Sequence, residues 1–205
     1  MTSTASTRTG ETPTDRQKRV WDKSAPAYDK QIAFFEKIWF GGGREWVGER
    51  AQGRVLEVAI GTGRNLPHYP AGATVTGIEL SPAMLAIARQ RAASLGRDVG
   101  LREGDAEHLP AEDASFDTVV CALSLCTIPG PAAAISEMKR VLVPGGRLLL
   151  LDHIGSTWPP VRAAQCSSSR SPSELPVSTS PAASYRSCRP PDSRSSKPNG
   201  SRRAP

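Results

Sequence analysis

The segment RVLEVAIGTG, residues 54–63, constrains the fold of this chain most. Its apolar and β-branched residues around one acid predict a short buried strand that runs directly into a glycine turn. A strand buried on both faces tolerates a carboxylate such as Glu57 only near its end, where a ligand or backbone amides can satisfy it. Gly61 and Gly63 allow the backbone to turn sharply and approach a ligand without a Cβ in the way.

A second predicted strand, residues 73–78, ends in another acid, Glu79. A strand, a glycine turn, a helix, a second strand and a terminal acid predict the nucleotide-binding half of an α/β fold, a Rossmann-like, doubly wound and mostly parallel sheet. The glycine turn alone leaves the cofactor open. Leu66 occupies the third glycine position of the dinucleotide fingerprint, and Ala59 stands two residues before Gly61, so NAD is disfavoured without being excluded.

Three further motifs follow in order: GDAEHLP at 104–110, SFDTVVCA at 115–122 and MKRVLVPGGR at 138–147. Their order and spacing closely resemble the class I S-adenosylmethionine-dependent methyltransferases. More narrowly, they resemble the type 11 branch, which contains quinone C-methyltransferases, phospholipid N-methyltransferases and thiol methyltransferase-like proteins. The resemblance covers roughly residues 28–154 and implies S-adenosyl-L-methionine as the cofactor.

The resemblance also implies a role for each motif. Glu57 either satisfies only the amides of the glycine turn or also lies near the methionine part of the cofactor. Glu79, followed by Leu80, would accept from both ribose hydroxyls, because a carboxylate has two oxygens. Asp105 would accept from the adenine amino group, with the Ala106 amide beside it. The predicted cofactor-binding residues are Tyr28, Glu57, Ala59, Gly61, Thr62, Gly63, Glu79, Leu80, Asp105, Ala106 and Ala122.

Several of these positions keep a second interpretation. Ala59 departs from the commoner glycine of the family, which is tolerable if its φ is negative. Tyr28 either covers the cofactor from the N-terminal helix or packs in the core. Thr62 would frame the amino-acid moiety of the cofactor, and Ala122 would line its other face. His153, after the fifth strand, is a candidate general base or substrate-orienting group, or it simply hydrogen-bonds a loop.

Helices are predicted at residues 15–40, at 44–51 after a Gly-Gly-Gly break, from Ser81 onward and around residues 135–142. Ser81 suits the N-cap of its helix, and the proline after it suits the first turn. The Pro-Gly-Gly segment of residues 144–146 is predicted to stop the last helix before a strand at 148–151. The residues predicted to face the sheet are Met84, Leu85, Ala88 and Ala92 in one helix and Ile135, Met138, Val141 and Leu142 in the other.

The net charge of +6 first suggests a nucleic-acid partner. However, residues 161–205 hold eight Lys/Arg and two Asp/Glu, whereas residues 1–160 hold 18 of each sign. A neutral body gives no support for nucleic-acid binding. The predicted partner is therefore a small-molecule or lipid-like substrate, with peripheral membrane contact as an option and the oligomeric state open.

No apolar run is long enough to span a membrane, and the first dozen residues lack the apolar segment of a signal peptide. These patterns predict a cytoplasmic protein. The cysteines show neither metal-ligand nor disulfide spacing, so no metal site is predicted. Cys121 and Cys126 are expected to pack in the core as small hydrophobes.

The predicted organisation is a disordered N-terminus (residues 1–14), a methyltransferase domain (15–160) and a disordered Ser/Pro/Arg-rich tail (161–205). In that tail 20 of 45 residues are Ser or Pro, which favours a basic linker or interaction tail. A second interpretation is a frame-shifted product. A one-base slip in GC-rich codons from Cys166 and from Arg189 permits peptides that resemble a late helix and strand of the family. The fold would then lack its last strands.

The predicted activity is methyl transfer from S-adenosyl-L-methionine to a small, hydrophobic or lipid-like acceptor, such as a quinone, a phospholipid amine or a thiol. Two alternatives remain. A truncated fold could leave a catalytically impaired cofactor-binding protein, and an NAD-dependent oxidoreductase would need the third glycine that Leu66 replaces.

Overall fold

The structure is a computed structural model that describes residues 10–39 and 41–152. Its centre is a parallel sheet of five strands in the order β3-β2-β1-β4-β5. This sheet confirms the predicted Rossmann-like, doubly wound fold. The strands are β1 (Arg54–Val58), β2 (Thr74–Glu79), β3 (Val99–Glu103), β4 (Phe116–Ala122) and β5 (Leu142–Leu151), and the helices are α1 (Pro13–Trp39), α2 (Gly43–Arg50), α3 (Pro82–Ser94) and α4 (Pro131–Val141).

Both faces of the sheet are covered by hydrophobic side chains. Because side chains alternate along a strand, Val55 of β1 packs with Leu85 of α3 on one face. Leu56 and Val58 pack with Met138 of α4 on the other face. All five are almost completely buried, and burial of a side chain of this size contributes roughly 1.5–3 kcal/mol. Two-sided burial explains why Val55, Leu56 and Val58 of β1 are all apolar.

The helix starts follow from local sequence. Thr12 and Asp15 form a reciprocal capping pair at the start of α1, two residues before the predicted boundary. Ser81 caps α3 as predicted, since its Oγ accepts from the Met84 amide at 3.1 Å. The four predicted sheet-facing residues of α3 are buried.

The prediction for α4 is wrong at two positions, Ile135 and Leu142, and Leu142 already belongs to β5. Ile135 is 39% exposed, and Ala134 is buried in its place. The buried stripe runs through Ala134, Met138 and Val141, which are spaced by four and three residues. Ile135 lies one residue, or about 100°, away from that stripe. The apolar character of Ile135 alone therefore led to a wrong prediction of the buried face of α4.

The Pro-Gly-Gly segment does not separate α4 from β5 as predicted. The helix ends at Val141, and β5 begins at the next residue. The pairing of β5 with β4 shifts register after Phe116, so the segment forms a bulge within the strand. Gly145 has a φ of 78°, and a Cβ at Gly146 would lie 2.9 Å from the Val143 carbonyl oxygen. The glycines are therefore needed for the bulge.

Some predictions fall outside the described residues. These are the roles of His153 and the nature of the tail at 161–205, including the frame-shift hypothesis and the missing last strands. Within the described ranges, no helix has the length and apolar character needed to cross a membrane.

Candidate functional site

A pocket lies at the carboxyl ends of the four strands β1 to β4, and α1 covers it. This edge is where parallel α/β sheets bind ligands, because the strand order reverses there. Nine of the predicted cofactor-binding residues line the pocket: Tyr28, Ala59, Gly61, Thr62, Glu79, Leu80, Asp105, Ala106 and Ala122.

Gly63 and Glu57 do not line the pocket. Gly63 has a φ of 77°, and a Cβ there would come within 2.8 Å of a Leu66 methyl group and 3.4 Å of the Ala88 backbone. Its lack of a side chain therefore serves the packing of the glycine turn against α3.

Glu79 links the glycine turn to the end of β2. Its Oε2 accepts from the Gly61 amide and its Oε1 from the Ser81 amide, each at 2.9 Å. Burial raises the pKa of Glu79, although the hydrogen bonds from these amides oppose the shift. Each carboxylate oxygen has a second lone pair. Glu79 can therefore hold the turn in place and still accept hydrogen bonds from a diol.

Glu57 does not accept from the amides of the glycine turn, so that expectation is wrong. Its oxygens accept from Asn65 Nδ2 at 2.7 Å and from the Tyr69 hydroxyl at 2.8 Å. Glu57 pairs with Gly77, so β2 extends past the end of β1 and places Glu79 beside the turn. Burial raises the pKa of Glu57 to about 7. Glu57 supports the pocket from behind its wall.

Ala59 has a φ of 54°, so the condition under which alanine would replace glycine without strain, a negative φ, is not met. An L-residue in the left-handed region costs roughly 1–2 kcal/mol. Leu123, across the pocket, has a φ of 55°. The Ser124 hydroxyl, next to Leu123, lies 2.9 Å from the Ala122 carbonyl oxygen and 3.3 Å from the Ala59 carbonyl oxygen, and its single proton points between these two acceptors. Strained residues of this kind cluster at functional sites.

Three acids on α1, spaced seven residues apart, fix this helix over the pocket. Such a spacing places Asp22, Asp29 and Glu36 on one face of the helix. Asp22 accepts from the Ser81 hydroxyl at 2.5 Å and from the Ala83 amide at 3.2 Å. The first of the three therefore holds α1 against the start of α3.

The second acid, Asp29, accepts from the Thr62 hydroxyl at 2.6 Å and forms an ion pair with Arg91. This places α1 directly on the glycine turn. The three acids were not predicted as site residues, although their regular spacing was available in the sequence.

The third acid, Glu36, bridges two arginines that line the pocket, Arg44 and Arg64. Arg64 donates to it from Nε at 3.0 Å and from Nη2 at 2.6 Å. Burial acts to raise the pKa of Glu36, but the hydrogen bonds from both arginines outweigh it, and the pKa is lowered. Arg44 also donates to Asn65 Oδ1 at 2.8 Å, which connects this cluster to Glu57.

Asp105 follows β3 and faces the pocket next to Ala106. Its Oδ1 accepts from the Glu107 amide at 2.9 Å, which forms a local turn. His108 Nδ1 lies 3.9 Å from Oδ2. This geometry fixes the carboxylate at the end of β3 while leaving acceptor capacity toward the pocket.

Tyr28 lines the pocket and also packs edge-on against Trp21, with ring centroids 5.8 Å apart. Burial raises the pKa of the Tyr28 hydroxyl, which therefore stays protonated at neutral pH. Trp21, Leu123 and Ile128 add apolar surface that the sequence did not assign to the site.

The polar and apolar side chains that line the pocket suit an adenosine-type ligand better than a metal ion. Among the described residues, no group of three His, Cys, Asp or Glu side chains could hold a metal ion. A Cβ at Gly61 would meet nothing within 4 Å, so the turn leaves room for a ligand against the backbone. Two strand-end acids, Glu79 and Asp105, in a pocket that Leu80 and Met84 also line, match a ribose diol and a purine.

Comparisons with known proteins agree with this geometry. Residues 56–150 match a family described as a methyltransferase domain. The chain is 40% identical over 115 residues to a phosphatidylethanolamine N-methyltransferase from Cereibacter sphaeroides, a match that covers 55% of this chain and 57% of the relative. It is 41% identical over 107 residues to a demethylmenaquinone methyltransferase from Thermus thermophilus, covering 51% of this chain and 49% of the relative.

A similar solved structure is that of a SAM-dependent methyltransferase, possibly a histamine N-methyltransferase, from Thermotoga maritima. It aligns with a TM-score of 0.53 at 26% identity, over 65% of this chain and 60% of the other. The chain spans about half the length of the two sequence relatives, 57% and 49%.

Proposed function

Residues 56–150 belong to the methyltransferase domain family, and from this premise we propose that the protein is an S-adenosyl-L-methionine-dependent methyltransferase. One observation carries the proposal: Glu79 and Asp105 stand at the ends of neighbouring strands and face the same pocket as the glycine turn. That arrangement provides acceptors for a ribose diol and for an adenine amino group, which a purely structural turn does not require.

The cofactor, when bound, supplies a methyl group that is already activated by a sulfonium centre. The protein therefore mainly needs to align the partners and exclude water. Glu79 would hold the ribose and Asp105 the adenine, while Gly61 and Thr62 would frame the amino-acid part. Because α1 covers the pocket, it would exclude water during transfer. Alignment of this kind is worth roughly 7–11 kcal/mol of barrier.

The acceptor we propose is small and hydrophobic or lipid-like: a quinone, a phospholipid amine or a thiol. The apolar side chains of Trp21, Leu123 and Ile128 at the pocket support this class. The printed activities of the two sequence relatives, on phosphatidylethanolamine and on demethylmenaquinone, fall within it. A lipid-like acceptor would require peripheral contact with a membrane surface. A thiol acceptor would benefit from a base, for which we propose His153.

The test has two stages. Calorimetric titration with S-adenosylhomocysteine, with NADH in a parallel experiment, identifies the nucleotide; binding of NADH alone would overturn the proposal in favour of an oxidoreductase. Transfer of a labelled methyl group is then measured with phosphatidylethanolamine vesicles, a demethylated quinone and a small thiol. Tight binding of S-adenosylhomocysteine without transfer to any of these acceptors would favour a cofactor-binding protein without turnover.

A further inference from the structure

Gln17 of α1 carries a polar atom that the fold leaves unsatisfied. Its side-chain Nε2 is buried and has no hydrogen-bond partner among the described residues. Gln17 also lines the pocket. Nearly all buried polar groups in folded proteins are paired, so an isolated donor on a pocket wall indicates a partner that arrives with the ligand.

The position of Gln17 along α1 decides which part of the pocket it faces. The next residue, Lys18, forms an ion pair with Glu103, the last residue of β3. Asp105 and Ala106 follow β3 directly and line the same pocket. The other end of the pocket lies farther along the helix, where Asp29 accepts from Thr62. Gln17 therefore lies at the Asp105 end, away from the glycine turn.

Resting on the proposed function, we propose that the Gln17 side chain donates a hydrogen bond to a ring nitrogen, N3 or N7, of the cofactor's purine. Asp105 and the Ala106 amide would together occupy the edge that carries the amino group. The remaining polar positions of adenine, N3 and N7, are both acceptors. The free N–H groups of a carboxamide on the pocket wall can donate to these nitrogens, whereas a carboxylate would repel them.

This assignment makes α1 a part of purine recognition and not only a cover. It differs from the roles of Asp22, Asp29 and Glu36, which hold the helix through contacts within the protein. Gln17 instead makes its contact only when the nucleoside is present. Substitution of Gln17 should therefore change the affinity for ligands that carry the ring nitrogen, and should not change the stability of α1.

The experiment is a calorimetric binding cycle on the full chain, with S-adenosylhomocysteine and its 3-deaza and 7-deaza analogues. Replacing a ring nitrogen by C–H removes one acceptor. With the unaltered protein, we expect at least one analogue to bind roughly five- to tenfold more weakly. Gln17→Leu should bind S-adenosylhomocysteine more weakly by a similar factor and show no further loss with that analogue.

Two variants serve as controls. Gln31→Leu makes the same change at an exposed position on the same helix, outside the pocket, and should leave all affinities unchanged. Gln17→Glu keeps the shape but removes the donor, so it should also weaken binding. Unfolding midpoints without ligand show whether each variant is folded.

The outcomes separate this inference from the proposed function. If the unaltered protein does not bind S-adenosylhomocysteine, the proposed function fails and the inference fails with it. If it binds, but Gln17→Leu binds equally well or both proteins lose the same factor with each analogue, the inference is overturned and the function stands.

Discussion

Glu79 and Gly61 are joined by a hydrogen bond of 2.9 Å from the Gly61 amide to Glu79 Oε2. The bond connects the end of β2 to the turn after β1, so one carboxylate both shapes the turn and faces the pocket. A residue in this position contributes to stability and to binding, and its substitution has to be designed so that the two effects can be separated.

Glu79→Gln keeps an acceptor oxygen for one of the two backbone amides and turns an NH2 group toward the other, whereas Glu79→Ala leaves both unsatisfied. We expect either variant to weaken S-adenosylhomocysteine binding by roughly 1–3 kcal/mol, because buried ligand hydroxyls lose their acceptor. Both variants should lower the unfolding midpoint, the alanine variant more, because it loses both amide hydrogen bonds and the glutamine variant loses one. Calorimetry and thermal unfolding measure the two effects, with the exposed Glu49→Gln as control. An unchanged dissociation constant would contradict the ribose assignment.

Ala59→Gly should stabilise the protein by about 1 kcal/mol or less. Glycine removes the strain of a φ of 54°, but it also increases the entropy of the unfolded chain, which offsets part of the gain. The matched control is Ala86→Gly on the exposed side of α3, which should destabilise by roughly 0.5–1 kcal/mol. Chemical denaturation measures both, and equal destabilisation by the two variants would show that Ala59 is not strained.

Asp29→Asn should loosen α1 over the pocket, because the ion pair with Arg91 is lost and the hydrogen bond from Thr62 is weakened. We expect faster amide exchange in the middle of α1 and a several-fold weaker affinity for S-adenosylhomocysteine. Asp15→Asn is the control, since the hydrogen bonds of the Asp15 carboxylate to the described part of the chain come from Thr12, at the start of the same helix. If both variants change amide exchange and ligand affinity equally, the contacts of Asp29 do not hold α1 over the pocket.

Glu57 should make the stability of the protein depend on pH. Its pKa in the folded state, about 7, lies above the ordinary value of 4.5, so between these values the native state binds more protons than the unfolded state. Stability is therefore highest below about pH 4.5 for this group and falls as the pH rises to 7, by a total of about 3 kcal/mol.

Glu57→Gln removes this titration, and its amide can still accept from Asn65 and donate to the Tyr69 oxygen. The difference in free energy of unfolding between the two proteins should change with pH between 5 and 7 and become constant above about 8. Urea denaturation at a series of pH values measures this difference. A difference that does not vary with pH would place the pKa of Glu57 near its ordinary value.

The sequence alone determined where the strands lie along the chain. Two-sided burial leaves a clear apolar signal in β1, and glycines mark the turn that follows it. It also predicted most of the pocket wall, since residues at the carboxyl ends of parallel strands meet at one edge whatever the details of packing. The prediction that Ser81 caps α3 also rests on local sequence, because its hydroxyl accepts from an amide in the first turn of the same helix.

The tertiary structure decided what depends on register and on contacts between distant segments. Because of the register between β1 and β2, Glu79 and not Glu57 accepts a hydrogen bond from the Gly61 amide of the glycine turn. The sign of φ at Ala59, which the sequence left open, is positive because that turn places a left-handed residue there. Gln17 on α1 and Arg44 on α2 reach the pocket only through the placement of these helices, which local sequence does not specify. Such positions depend on the packing of whole elements, so the structure was needed to find them.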